Sequence, residues 1–159
     1  MNGFVPALVA VLLAEWGPRA ALLWRAPRRE LVLWCAAAMI FAAGAAGTLV
    51  GPMLTGWAES LMIGVALVLA AIGQLQRIKP VTAPGRVLWT FWSGGTILLV
   101  FALAAPFGAL AASFGALAGL ALAIVTAEAG LPVRLVRSCA ALILVVAGAT
   151  AALGGLRLL

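Results

Sequence analysis

The chain has 159 residues, 66% of them hydrophobic, with 9% charged, a net charge of +6 and no Asp, His or Tyr. A soluble domain carries roughly 25% charged residues, so this composition excludes one and leaves room for about six membrane spans of ~20 residues each. The basic residues are scattered through short segments, with no basic face interleaved with aromatics. The partner they imply is therefore the lipid bilayer and not nucleic acid.

The first apolar segment runs from about Phe4 to Trp24. No basic stretch precedes it, so it reads as a span and not as a signal peptide. It contains "LLAEWGPRAALL", residues 12–23, in which an acid, a Gly-Pro pair and an arginine interrupt an apolar run. Pro18 has no N–H and clashes with the carbonyl four residues back, that of Ala14, so a break is expected here. The freed carbonyl must then find a neighbouring helix, a water or an ion. Glu15 beside it makes the oxygen-rich setting that hard cations accept, and Glu15 is the candidate metal ligand. A charge near the bilayer centre costs at least ~2.5 kcal/mol on insertion scales. Two readings offset that cost. Glu15 and Arg19, at i and i+4 of one helix, can pair on a shared face; or Glu15 is an ion or proton site with Arg19 as a gating charge.

The second span is Leu31 to Val50 and the third is Trp57 to Leu75, followed by the polar "QRIKPVTAPGR". The fourth is Val87 to Ala104, ended by Pro106; the fifth is Phe107 to Thr126 and the sixth is Leu135 to Leu156. Arg25, Arg28 and Arg29 follow span one, Arg77, Lys79 and Arg86 follow span three, and Arg134 and Arg137 follow span five. The loops after spans two and four carry no Lys or Arg. The positive-inside rule makes the basic side cytoplasmic and both termini extracytoplasmic. Trp24, Trp34, Trp57 and Trp89 lie near span ends, as an interfacial belt requires.

A faint repeat runs through the chain. "LLAEWGPRAALL" aligns with "LWTFWSGGTILL", residues 88–99, at an offset of 76, and "ALVLAAIG" from Ala66 aligns with "ALILVVAG" from Ala141 at 75. The expected fold is all-α: one transmembrane domain of six helices in two inverted three-helix repeats, 1–76 and 86–159, joined by a cytoplasmic loop at 77–85. Three spans per repeat insert the second half from the opposite side, and paired breaks in such folds mark a central site. The Gly17-Pro18 break faces Ser93-Gly94-Gly95. The expected ion or substrate pathway is Glu15, Trp16, Gly17, Pro18, Arg19, Trp92, Ser93, Gly94 and Thr96, with the two tryptophans either as facing lids over a central cavity or as lipid-facing or core-packing residues. Thr90, Ser93 and Thr96 supply hydroxyls, and bonding to their own backbone is the alternative use.

Other features carry less. Gly47-x-x-x-Gly51 and Gly115-x-x-x-Gly119 permit close helix contact, expected within one chain, with a homodimer face as the alternative. Cys35 and Cys139 read as small packing residues. Glu30, Glu59 and Glu128 read as solvated or interfacial. No Ser or Cys has a base beside it, so no enzyme is expected.

"LLAEWGPRAALL" resembles the E-x-G-D-[KR]-[ST] signature of the Gdt-type family, small membrane exchangers related to the lysine-exporter superfamily. That family includes the Golgi manganese/calcium–proton antiporters. Ala102 to Ala105 and "LPVRLVRSCAALILVVAG" from Leu131 also resemble family stretches. Glu15, Gly17 and Arg19 keep the first signature, with Pro18 in place of the second acid and Ala20 in place of the hydroxyl. The second copy keeps only Thr96; Phe91, Gly94 and Gly95 stand where its two acids and base belong. The resemblance implies secondary transport, cation/proton exchange with Mn²⁺ or Ca²⁺ as cargo, and no resident cofactor, in a bacterial inner membrane. Two alternatives stand beside it. One is a non-transporting or half-site partner of a related membrane protein whose acidic motifs are intact. The other is a small-molecule exporter using one intramembrane Glu.

Overall fold

The structure, a computed structural model, describes residues 3–76, 83–93, 95–128 and 133–156. These residues form eight α-helices and one 3-10 turn, with no strand among them: α1 Phe4–Glu15, α2 Pro18–Arg25, α3 Arg29–Val50, the 3-10 turn Gly51–Met53, α4 Gly56–Leu75, α5 Pro84–Ser93, α6 Thr96–Phe107, α7 Ala109–Glu128 and α8 Val133–Gly155. Most of the expected linker, residues 77–82, lies outside the described residues.

Four stretches, Arg29–Met53, Gly56–Leu75, Ala109–Ala127 and Arg137–Gly155, are long and apolar enough to cross a membrane, and the number rises to six if each of two bent pairs is one span. The bent pairs are α1 with α2, at 82°, and α5 with α6, at 49°. Both breaks turn on a glycine in positive φ, Gly17 at 91° and Gly95 at 84°. Only glycine enters that region without a Cβ penalty. Pro18 then opens α2, where its missing N–H costs nothing because the first N–H groups of a helix have no partner. Pro106 does not end its span as expected: α6 runs one residue further and stops at Gly108, φ 88°, a glycine C-cap.

In α1, α3, α4, α7 and α8 the apolar residues are not gathered on one side. Val5, Trp34, Leu49, Leu69, Leu110, Val125 and Leu142 are all exposed. Helices apolar all round, with an outer surface of this kind, are those of an integral membrane protein.

α4 packs along α8, α1 along α7 and α3 along α6, with α6 also touching α1, α4 and α7. Alanine and glycine set the closeness of these contacts. A Cβ on Gly47 or Gly51 would meet the carbonyl oxygens of Phe101 or Ala105 on α6. One on Gly115 or Gly119 would meet those of Phe4 or Leu8 on α1. Both GxxxG seams are therefore occupied within the chain, as small residues at helix interfaces allow. The core between α1, α4, α6 and α8 is built of Ala7, Ala10, Ala14, Ala66, Ala70, Ala102 and Ala140 with a few leucines. A second cluster, of Val11, Leu23, Val32, Ile40, Val87, Phe91 and Val100, fills the space towards α3.

Candidate functional site

The two breaks meet. Glu15 is the last residue of α1 and Thr96 the first of α6, and both are fully buried. The Thr96 hydroxyl donates a hydrogen bond to Glu15 Oε1 across a sequence separation of 81 residues. Gly95 makes this contact possible: its Cα lies so close to Ala70 that a Cβ would come within 2.9 Å of the Ala70 nitrogen. Thr96 is thereby carried into the core beside α1.

The Ala14 carbonyl, freed because Pro18 has no N–H, finds a neighbouring helix. Gln74, near the end of α4 and 1% exposed, donates its Nε2 to Ala14 O at 2.5 Å, to Leu13 O at 2.8 Å and to Trp16 O at 3.4 Å. One amide thus covers the unravelled end of α1, where no bulk water can do so.

The end of α4 is held in turn by two arginines. Arg19 Nη2 donates to Gly73 O at 2.7 Å. Arg137 donates to Gln74 O through Nε at 2.8 Å and Nη2 at 2.5 Å, and to Gln76 O at 3.1 Å. Cations at a helix C-terminus satisfy its free carbonyls and complement its partial negative charge. Both arginines therefore have a structural use that the sequence does not announce.

Of the two readings of Glu15 and Arg19, the i, i+4 pair on a shared helix face is not formed. The helix stops at Glu15 and restarts at Pro18, so the two residues do not share a continuous face. No hydrogen bond joins them: Thr96 takes Glu15 Oε1, Gly73 takes Arg19 Nη2, and Glu15 Oε2, Arg19 Nε and Nη1, and Gln74 Oε1 are buried without a hydrogen-bond partner. A cavity of about 10 Å³ lies among Glu15, Arg19, Leu22, Leu23, Val87, Thr90 and Phe91. That is on the order of the space one water needs. The arrangement can hold a proton or a small polar species at Glu15, which Thr96 touches and Arg19 faces across the cavity.

The other expected pathway residues divide. Gly17 caps α2 and Pro18 opens it, so both act through the backbone. Gly94 lies outside the described residues. Ser93 is exposed and donates to Thr90 O at 3.3 Å, while Thr90 donates to Arg86 O at 2.8 Å. Both hydroxyls thus bond their own helix, the alternative use. Ser93 does not join Glu15, because α5 ends there and the chain turns before Thr96. The tryptophans are not facing lids. Trp16 packs on the alanine-rich core. Trp92, 55% exposed, lines an apolar cleft of about 490 Å³ with Met39, Ala43, Ile97 and Phe101.

Among the described residues, no three acidic, Cys or His side chains gather at one point. Cys35 and Cys139 are free thiols. Gln74 and Arg137 are the site residues that sequence reasoning missed. The signal for Gln74 was a polar side chain just inside the third span; for Arg137 there was none beyond its charge.

Comparison with known protein families, with characterised proteins and with solved structures gives no match.

Proposed function

We propose that this protein is a secondary transporter in which Glu15 is the group shared, in turn, by a proton and a small cation. The observation that carries the reading is the buried carboxylate on one helix break, hydrogen-bonded to Thr96 on the other, with unpartnered polar atoms beside it. Intramembrane carboxylates that face a bundle interior mark ion and proton routes.

The reading takes the fold as two inverted three-helix repeats. Two features support it. The breaks fall at Gly17 and Gly95, both in positive φ, close to the offset of the sequence repeat. The packing is reciprocal: the first span lies on the fifth, the fourth on the second, and the third on the sixth. Exchanging the two halves maps this set of contacts onto itself. A central site between two discontinuous helices is the plan on which many secondary transporters work.

The nature of the cargo follows from the donor set. Ca²⁺ takes six to eight oxygens, and affinity rises with the number of charged ligands. Glu15 is one carboxylate, and the neighbouring Arg19 guanidinium opposes any cation there. A proton and a singly charged cation suit such a site better than Mn²⁺ or Ca²⁺. The apolar cleft at Trp92 does not include Glu15, so it lends no support to an exporter built around that acid.

The test is proton movement in proteoliposomes carrying an internal pH dye, with gradients of Na⁺, K⁺, Mn²⁺ and Ca²⁺ imposed in turn. The wild type is expected to acidify or alkalinise the lumen with at least one monovalent gradient. Glu15→Gln, which keeps the Thr96 contact but cannot ionise, is expected to lose the response more than tenfold. A Gln variant that moves protons as fast as the wild type overturns the assignment. A wild type that is silent to every gradient favours the non-transporting or half-site reading instead.

A further inference from the structure

A second feature lies away from Glu15, on the outer surface where α2, α3 and α7 meet. A groove of about 620 Å³ is lined by Trp24, Leu33, Trp34, Leu120, Ile124 and, at one end, Glu30. Its size falls within the ~300–1,000 Å³ of ligand pockets, and its walls are almost wholly apolar. At the Glu30 end it continues into a polar hollow of about 490 Å³ lined by Ala26, Arg28, Arg29, Glu30 and Leu31. The two share Glu30, so one elongated molecule can occupy both.

We propose that this surface seats one anionic phospholipid, with an acyl chain in the groove and its phosphate against Arg28 and Arg29. The first argument is charge. The segment from Arg25 to Glu30 carries three arginines against one glutamate, and Arg25, Arg28, Arg29 and Glu30 are all exposed. A net positive mouth attracts a net negative headgroup, and basic pockets beside membrane helices bind such lipids. A zwitterionic headgroup brings its own cation towards the same arginines and gains less.

The second argument is depth. Tryptophans near span ends sit at headgroup level; Trp24 and Trp34 both line the groove, and Trp24 lies against Arg29 where it gives way to the arginines. The transition from apolar to charged wall along this surface therefore matches the transition from chain to headgroup along a lipid. The third is positioning. The Arg29 guanidinium lies 4.7 Å from the Trp24 ring centroid, a cation–π contact that holds its charge at the mouth of the groove. The occupant is committed to a lipid and not a free phosphate, because a soluble anion leaves the groove's apolar walls unused.

The experiment is native mass spectrometry of the full chain released from mixed detergent–lipid micelles containing equal amounts of phosphatidylglycerol and phosphatidylcholine. One retained phosphatidylglycerol per chain is expected, in clear excess over phosphatidylcholine. The double variant Arg28→Gln, Arg29→Gln is expected to reduce that excess by about tenfold or more, since each arginine near an anionic headgroup is worth about fivefold. Ala121→Trp, placed at an exposed alanine of the same groove wall, fills the groove and is expected to lower retention of both lipids. Millimolar inorganic phosphate is expected to displace neither. Equal retention of the two lipids by the wild type overturns the proposal, and this measurement needs no variant to fold. So does full retention of phosphatidylglycerol by the double variant, or its displacement by inorganic phosphate.

Discussion

Gln74→Leu is expected to destabilise the protein by about 2 kcal/mol, the middle of the range for a buried polar group left unsatisfied, although the two side chains are similar in volume and no charge is lost. Gln74 Nε2 is the hydrogen-bond donor to the Ala14 carbonyl at 2.5 Å and to Leu13 O at 2.8 Å. Leaving a buried carbonyl without a partner costs ~1–3 kcal/mol. Interhelical hydrogen bonds in membrane proteins often measure less, ~0.6 kcal/mol on average, because the separated helices find other partners. Here Pro18 removes the alternative donor for Ala14 O, so the smaller figure does not apply. Reversible unfolding in mixed micelles measures the loss, and Gln74→Met checks that the amide and not the side-chain length is responsible. A Leu variant within ~0.5 kcal/mol of the wild type, the spread of substitutions that touch nothing important, would show that the break at Gly17 is stable without its amide.

The second large effect is expected at the α1–α7 seam. A Cβ on Gly115 would overlap the carbonyl oxygen of Phe4, and one on Gly119 would overlap that of Leu8. These atoms are backbone and cannot swing aside. Gly115→Leu with Gly119→Leu must therefore push α1 off α7, at a cost above the ~1–3 kcal/mol of a single overpacked site. Glu15 ends α1, so the displacement also draws its carboxyl away from Thr96. The expected result is loss of monodisperse protein on size exclusion and, on the transport reading proposed above, loss of the proton response in whatever fraction still folds. Gly154→Ala is the control, because a Cβ there meets nothing within 4 Å. It should leave stability unchanged or slightly raised, since alanine is the better helix former. If the double leucine variant behaves like this control, the seam is not where α1 is held.

Apolar helices, a break at Gly17-Pro18 and a second break in the Ser93-Gly94-Gly95 stretch were all legible in the residues alone. These are local matters. Apolar length decides what can cross a membrane, a missing N–H at Pro18 stops a helix, and a glycine supplies the positive φ that turns it. What each broken end meets was not legible there and follows from how the helices pack. Thr96 and not Ser93 reaches Glu15, Gln74 covers the carbonyl that Pro18 frees, and Arg19 leaves its helical neighbour to cap α4 beside Arg137. The reason is that the long helices α3, α4, α7 and α8, against which the broken ends pack, are apolar on every side. A soluble amphipathic helix shows its buried face as a stripe in the sequence; here no stripe exists, so the rotation of each helix, and with it the partner of each polar side chain, is set only when alanine and glycine seams lock the helices together.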